Sequence, residues 1–208
     1  MIIILNYGMG NPGSMHNMFR RIGTRAEVTL DIDKLMSASA IVLPGVGSFD
    51  NGIQKLQAAG IMEHLEKRVL HDKIPFLGVC LGMQMLFERS EEGSLPGLGW
   101  ISGPVLRFNF SSITKTSLKI PHMGWNLVRP TNHETLFRGL EQEPRFYFVH
   151  SYHGVCLDKA NVLGTSDYGY SFVSAVQKEN IFGVQFHPEK SHRFGMTLLK
   201  NFAEIASC

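Results

Sequence analysis

Gly78-Val79-Cys80-Leu81-Gly82 sets a thiol between two glycines, each two positions away. A thiol in its thiolate form attacks carbonyl carbon. The apolar run before it, Pro75 to Val79, reads as a buried strand, and Leu81 to Phe87 after it is apolar and helix-prone. A nucleophile held at a sharp strand-to-helix turn takes a strained backbone conformation. Side chains two positions either side would collide there, and glycine at both removes the collisions. Free N–H groups at the start of the following helix favour the thiolate and can hold an oxyanion. The same five residues also fit a buried cysteine among glycines that simply pack, since free cysteine is one of the most buried residue types. Cys156 and Cys208 have no such setting and read as structural or incidental.

A thiol nucleophile needs a base. The chain has nine histidines, and His187-Pro188-Glu189 is better placed than the rest. It follows the apolar run Ile181 to Phe186, at the strand end where open α/β sheets bind ligands. The proline fixes the backbone, and the carboxylate two residues on can accept a bond from the imidazole and hold its tautomer. Taken alone, a satisfied surface histidine fits the same residues. A metal site at His187, Glu189 and His192 lacks a third strong ligand at familiar spacing, so no metal is expected. Pro44-Gly45-Val46-Gly47-Ser48-Phe49 is a second glycine loop after an apolar run. It lacks the Lys-Ser/Thr of a phosphate loop but can turn backbone N–H groups toward an anion. Asn6-Tyr7-Gly8-Met9-Gly10-Asn11 does not complete a dinucleotide fingerprint, and no cofactor is expected.

The elements that must position these groups follow from apolar spacing. Ile2 to Leu5, Ala26 to Leu30, Ser39 to Leu43 and Pro75 to Val79 read as strands. Between them lie a helix that Ser14 can cap, ending at Gly23, and helical spacing over Asp50 to Leu70 with a break at Gly60. The second half carries strand-like runs at Val105 to Phe108, Asn126 to Val128, Phe146 to His150, Phe172 to Gln177 and Ile181 to Phe186. Lys178-Glu179-Asn180 joins the last two as a hairpin, and Phe194 to Ile205 closes the chain as an amphipathic helix. The expected fold class is α/β, a mainly parallel twisted sheet flanked by helices with a late antiparallel portion, in one domain over 1–208.

Composition narrows the class. With 44% apolar and 18% charged residues over 208 positions, the chain can build a sizeable core. A net charge of +2 is too small to predict nucleic-acid binding, and no basic run of five overrides that, so no nucleic-acid partner is expected. Three scattered cysteines do not make a disulfide framework, which points to a reducing cytoplasm. No apolar stretch approaches a membrane span, so no membrane partner is expected.

Together these segments resemble the class I (triad) glutamine amidotransferases. The resemblance covers essentially the whole chain. It rests on the segments above, on Met83-Gln84, on Pro121-His122-Met123-Gly124-Trp125-Asn126, on Tyr147-Phe148-Val149-His150-Ser151-Tyr152 and on Gln185-Phe186-His187-Pro188-Glu189-Lys190-Ser191. Within the family, the pattern is similar to glutaminase subunits that pair as heterodimers with a (β/α)8-barrel cyclase of histidine biosynthesis and pass it ammonia through an internal channel. The resemblance implies L-glutamine as substrate, Cys80 as nucleophile, His187 as base then acid, and Glu189 as its orienter. It implies an oxyanion hole from the N–H groups of Val46 and Leu81. Gly47, Gln84, Glu92, Ser151 and Tyr152 would bind glutamine, and Asn11, Trp125, Tyr147 and Lys190 would face the barrel. Asn6 and the stretch Ser191 to Met196 depart from the usual histidine-pathway form. They look more like a branch in which the same glutaminase half-reaction feeds a sugar-modifying enzyme of surface-polysaccharide synthesis. A non-catalytic amidotransferase-like binding subunit, or a cysteine hydrolase with another substrate, would keep the fold without this activity.

Overall fold

The structure is a computed structural model; it describes residues 1–111, 118–140 and 143–207. Cys208 lies outside the described residues. Strands β1 (Ile2–Leu5), β2 (Ala26–Thr29), β3 (Ala40–Gly45) and β4 (Phe76–Cys80) alternate with helices α1 (Pro12–Arg21), α2 (Ile32–Met36), α3 (Phe49–Ala58) and α4 (Met62–Glu66). Leaving β4, the chain forms the one-turn helix α5 (Leu81–Gln84), then the short strands β5 (Arg89–Ser90), β6 (Pro104–Arg107), β7 (His122–Leu127), β8 (Arg129–Pro130), β9 (Arg145–His150) and β10 (Tyr152–Gly154). Strands β11 (Val162–Tyr168), β12 (Tyr170–Lys178) and β13 (Ile181–Val184) lead into the closing helix α6 (His192–Ile205).

Eight strands form one sheet in the order β2-β1-β3-β4-β13-β12-β11-β8. β2, β1, β3, β4 and β13 run parallel, whereas β12, β11 and β8 add antiparallel pairs at one side. The central parallel strands are buried at every position because both faces are covered. Alternation along each strand feeds two cores. Ile2, Ile4, Val42 and Val79 meet α1 and α6 on one face, and Ile3, Leu5, Leu43 and Phe76 meet α3 and α4 on the other. The β12–β13 hairpin turns at Glu179-Asn180, with Lys178 paired to Ile181 and Glu179 at φ +52°.

Several elements differ from expectation. The first helix is capped by Asn11 and not by Ser14; the Asn11 side chain accepts from Ser14 N at 3.0 Å, and the helix begins at Pro12. The apolar run after Cys80 is a helix only to Gln84. The carbonyls of Met85, Leu86 and Phe87 instead accept from Leu98, Ile101 and Gly99, so a returning loop takes the bonds of the next turn. Strand β11 has no apolar run to announce it. It is held by pairing with β12 along six registered positions, an interaction that one strand's own letters do not carry.

Candidate active site

β3, β4 and β13 end side by side, and the loops from those ends build one cleft. Cys80 closes β4 at φ +56° and ψ −110°, outside the regions that a residue with a Cβ adopts freely. The flanking glycines make this turn possible. A Cβ on Gly78 would stand 2.6 Å from the carbonyl oxygen of Gly82, and one on Gly82 would stand 2.0 Å from that of Leu43. The second clash is with β3 and not within the turn, so the elbow is wedged against the neighbouring strand. α5 starts at Leu81, and its first amides lack partners inside the helix.

His187 follows β13 and is pinned from two sides. Its own N–H donates to Tyr147 O at 2.9 Å, and its carbonyl accepts from the Ser191 hydroxyl at 2.6 Å. Pro188 opens a single 3-10 turn, Pro188–Lys190, which swings Glu189 back onto the ring. Glu189 Oε1 and His187 Nδ1 are 2.8 Å apart, and both side chains are buried. A carboxylate accepts only, so Nδ1 carries a proton and Nε2 faces the thiol. Nε2 is buried without a fully formed hydrogen bond, although Cys80 is close enough to act on it directly. Burial alone would lower the imidazole's basicity. The hydrogen bonding and negative charge of Cys80 and Glu189 outweigh it and lift the pKa to about 10. The structure thus brings Cys80 against the His187–Glu189 pair from a distant segment of the chain.

Val46, Gly47, Cys80, Leu81, Gln84, Glu92, Ser151 and Tyr152 all line one open cleft of about 320 Å³, within the range of small-molecule sites. Val46 is exposed at its rim, and Gly47 has φ +119°, open to glycine and unfavourable to other residues. Glu92 is half-buried and has a second task. Its Oε2 accepts from Phe49 N at 2.9 Å, capping α3, where the N-cap Ser48 makes no side-chain capping bond. Burial raises its pKa, partly offset by that amide. Asp50 clamps the loop after Glu92 by accepting from Ser94 N and Leu95 N at 2.9 and 3.0 Å.

Asn11, Trp125, Tyr147 and Lys190 lie outside the cleft. Asn11 is exposed at the head of α1, which packs near the 188–190 turn. Trp125, 49% exposed, stands edge-on to Tyr147 and stacks on His192 at 5.4 Å between ring centres. Lys190 Nζ sits 5.7 Å from the centre of the Tyr147 ring. His192 thus stacks on Trp125, while Glu189 bonds His187. No group of three potential metal ligands occurs among the described residues, nor is any helix there long and apolar enough to cross a membrane.

Two residues escaped the sequence reading of the site. Gln185 is fully buried, and its amide nitrogen points at Cys80 Sγ from 3.8 Å. The buried Tyr7 hydroxyl has no hydrogen-bond partner among the described residues and lies beside Gly45. Burial, and then the charge of Cys80, hold it above the usual phenol range. Gln185 adjoins the His-Pro-Glu segment, which was its one available signal.

The class that this elbow and sheet define is matched by comparison. The family model for class-I glutamine amidotransferase covers residues 3–206, and the chain belongs to that family. It is 50% identical over 206 residues to imidazole glycerol phosphate synthase subunit HisH 2 of Methanococcus maripaludis, covering 99% of this chain and 100% of that protein. It is 45% identical over 205 residues to the HisH 2 subunit of Pseudomonas aeruginosa, covering 99% of this chain and 100% of that one. A crystal structure of a glutamine amidotransferase superposes with a TM-score of 0.74 at 19% identity, covering 100% of this chain and 99% of that one, a likeness of fold.

Proposed function

We propose that the chain is the glutaminase subunit of an imidazole glycerol phosphate synthase, hydrolysing L-glutamine and handing the ammonia to a (β/α)8-barrel cyclase subunit. The observation that carries this is the pairing of Cys80, at the wall of a cleft the size of a small molecule, with a buried His187 imidazole that Glu189 holds. The identity to HisH subunits over the full length supports the pathway.

Cys80 Sγ attacks the side-chain carbonyl carbon of glutamine. The oxyanion takes the N–H of Leu81 and, once the loop peptide is turned inward, that of Val46. His187 gives its proton to the departing nitrogen, the C–N bond breaks, and ammonia leaves a glutamyl thioester. Neutral His187 then takes a proton from water, whose oxygen attacks the thioester. Glutamate leaves, its acid proton passes to solvent, and the thiolate and imidazolium are restored. Glu92, at the cleft wall, faces the α-amino end of the substrate.

Ammonia released into neutral water becomes ammonium and loses its nucleophilicity, so the product must pass directly to a partner. The face carrying Trp125, Tyr147 and Lys190 suits that docking. It also carries His192, one of the positions that depart from the histidine-pathway form. This observation keeps a second reading in view, with the same half-reaction serving a sugar-modifying enzyme. The test is Cys80→Ala in the complex that co-purifies with the chain. Synthesis from glutamine should fall by about 10⁴-fold or more, while synthesis from added ammonia is retained. Glutamine-dependent product from the variant would overturn the assignment of Cys80. A barrel cyclase as the co-purifying partner supports the histidine pathway, and a sugar-modifying enzyme supports the second reading.

A further inference from the structure

On the glutamine side of the cleft, His150 in its wall and the neighbouring His122 make hydrogen bonds that the reaction above does not use. His150 Nδ1 lies 2.7 Å from Tyr152 O, and His150 Nε2 lies 3.1 Å from His122 Nδ1. His122 Nε2 lies 3.3 Å from the Asn126 amide nitrogen. The orientation of Asn126 is fixed separately, because its oxygen accepts from Leu127 N at 2.8 Å and its nitrogen donates to Asp167 O at 2.9 Å.

We propose that His122 and His150 are positioning residues, a pair locked in the Nδ1–H tautomer that holds the Tyr152 carbonyl in place at the glutamine cleft. The proton order follows from donors and acceptors alone. A carbonyl only accepts, so His150 Nδ1 carries a hydrogen. The Asn126 amide nitrogen only donates, so His122 Nε2 is bare and His122 Nδ1 carries that ring's hydrogen. His122 Nδ1–H donates to His150 Nε2, which is bare in turn. Burial lowers the pKa of both rings, in keeping with two neutral imidazoles. The His122 ring cannot swing away, since it stacks between Tyr168 and Phe148 at 4.1 and 4.9 Å.

The other end of the chain of bonds reaches the nucleophile. Tyr152 O also accepts from Gln84 Nε2 at 3.0 Å, so both of its lone pairs are engaged. The same Gln84 nitrogen donates to Gln185 Oε1 at 3.1 Å. That bond sets the Gln185 amide with its nitrogen toward Cys80 Sγ. A single connected network thus leads from Asn126, beside the exposed Trp125, to the cleft wall and the sulfur.

The proposal rests on the glutaminase reading for its substrate but not for its proton order, and the two are tested apart. Nitrogen-15 NMR of the full chain should show both rings protonated at Nδ1 and bare at Nε2, the reverse of the preference of free histidine in water. A proton on Nε2 of either ring would overturn the proposal, whatever the protein's activity. Labelling of Cys80 by 6-diazo-5-oxo-L-norleucine, a glutamine analogue, is then compared with labelling by iodoacetamide, which needs no recognition. In His150→Leu the analogue should react at least about tenfold more slowly, with iodoacetamide within about twofold. His150→Asn, whose amide nitrogen takes the place of Nδ1, should recover most of the difference. Equal slowing of both reagents, or no slowing of the analogue, would overturn the positioning role. If the wild-type chain ignores the analogue and still alkylates with iodoacetamide, the glutamine reading fails while the tautomer result stands by itself.

Discussion

A methyl group has no room at the Cys80 elbow, where a Cβ on Gly82 would stand 2.0 Å from a backbone oxygen of the next strand. In the β7–β9 ribbon on the other side of the cleft, Gly124 has no atom of the described residues within 4 Å of where a Cβ would point, and Met123 and Trp125 are exposed. The elbow is built by excluding atoms and the ribbon by ordering donors and acceptors. Strained backbone persists only where packing over-determines it. A wall that meets a partner needs its polar groups paired inside and its apolar groups left outside.

Comparing the two regions by substitution breaks or sharpens this contrast. The largest effect belongs to the pair that faces the elbow. Glu189→Gln removes the charge that holds the His187 ring, and glutamine turnover by the complex should fall about 10³–10⁴-fold, read as kcat. The raised pKa of His187 also makes stability fall with pH. Its contribution is complete below the unfolded value of 6.5 and is lost as pH rises through about 10. The melting-temperature gap between the wild type and His187→Asn should therefore shrink between those two values, and a gap that grows would contradict the ion pair.

The ribbon should show its effect in association. Trp125→Ala is expected to weaken partner binding by about tenfold or more, measured by calorimetry, with iodoacetamide labelling of Cys80 unchanged. Binding at wild-type strength would remove Trp125 from the docking face.

A pair of glycine substitutions, read in melting temperature, is the most direct comparison. Gly82→Ala should cost about 4 kcal/mol or more, lowering the melting temperature by roughly 8 °C or more. Gly124→Ala meets only the strain of its φ of +130°, about 1–2 kcal/mol, and should lower it by roughly 2–8 °C. Equal losses at the two glycines would mean that the elbow is not wedged against β3.

Much of this was legible in the letters alone. Continuous apolar runs announced β1, β3, β4 and β13, because strands buried on both faces leave no polar position to obscure them. The glycines around Cys80 and the proline between His187 and Glu189 were visible because a local backbone demand is met by local letters. The length of α5 was not legible, since the loop over 98–101 takes its next hydrogen bonds. Nor was the second task of Glu92, whose carboxylate caps a helix at a residue 43 positions earlier.

The amino-acid order by itself determined the strained turn, the sulfur on it, and the carboxylate that lies within reach of the imidazole two residues before it. Only the tertiary structure decided that β4 and β13 lie side by side, which sets His187 against Cys80, and that Gln185 and the His122–His150 pair point inward behind them. The reason is one of range. Backbone strain and capping act over a few residues, whereas a proton's place on a buried ring depends on donors that reach it from across the fold.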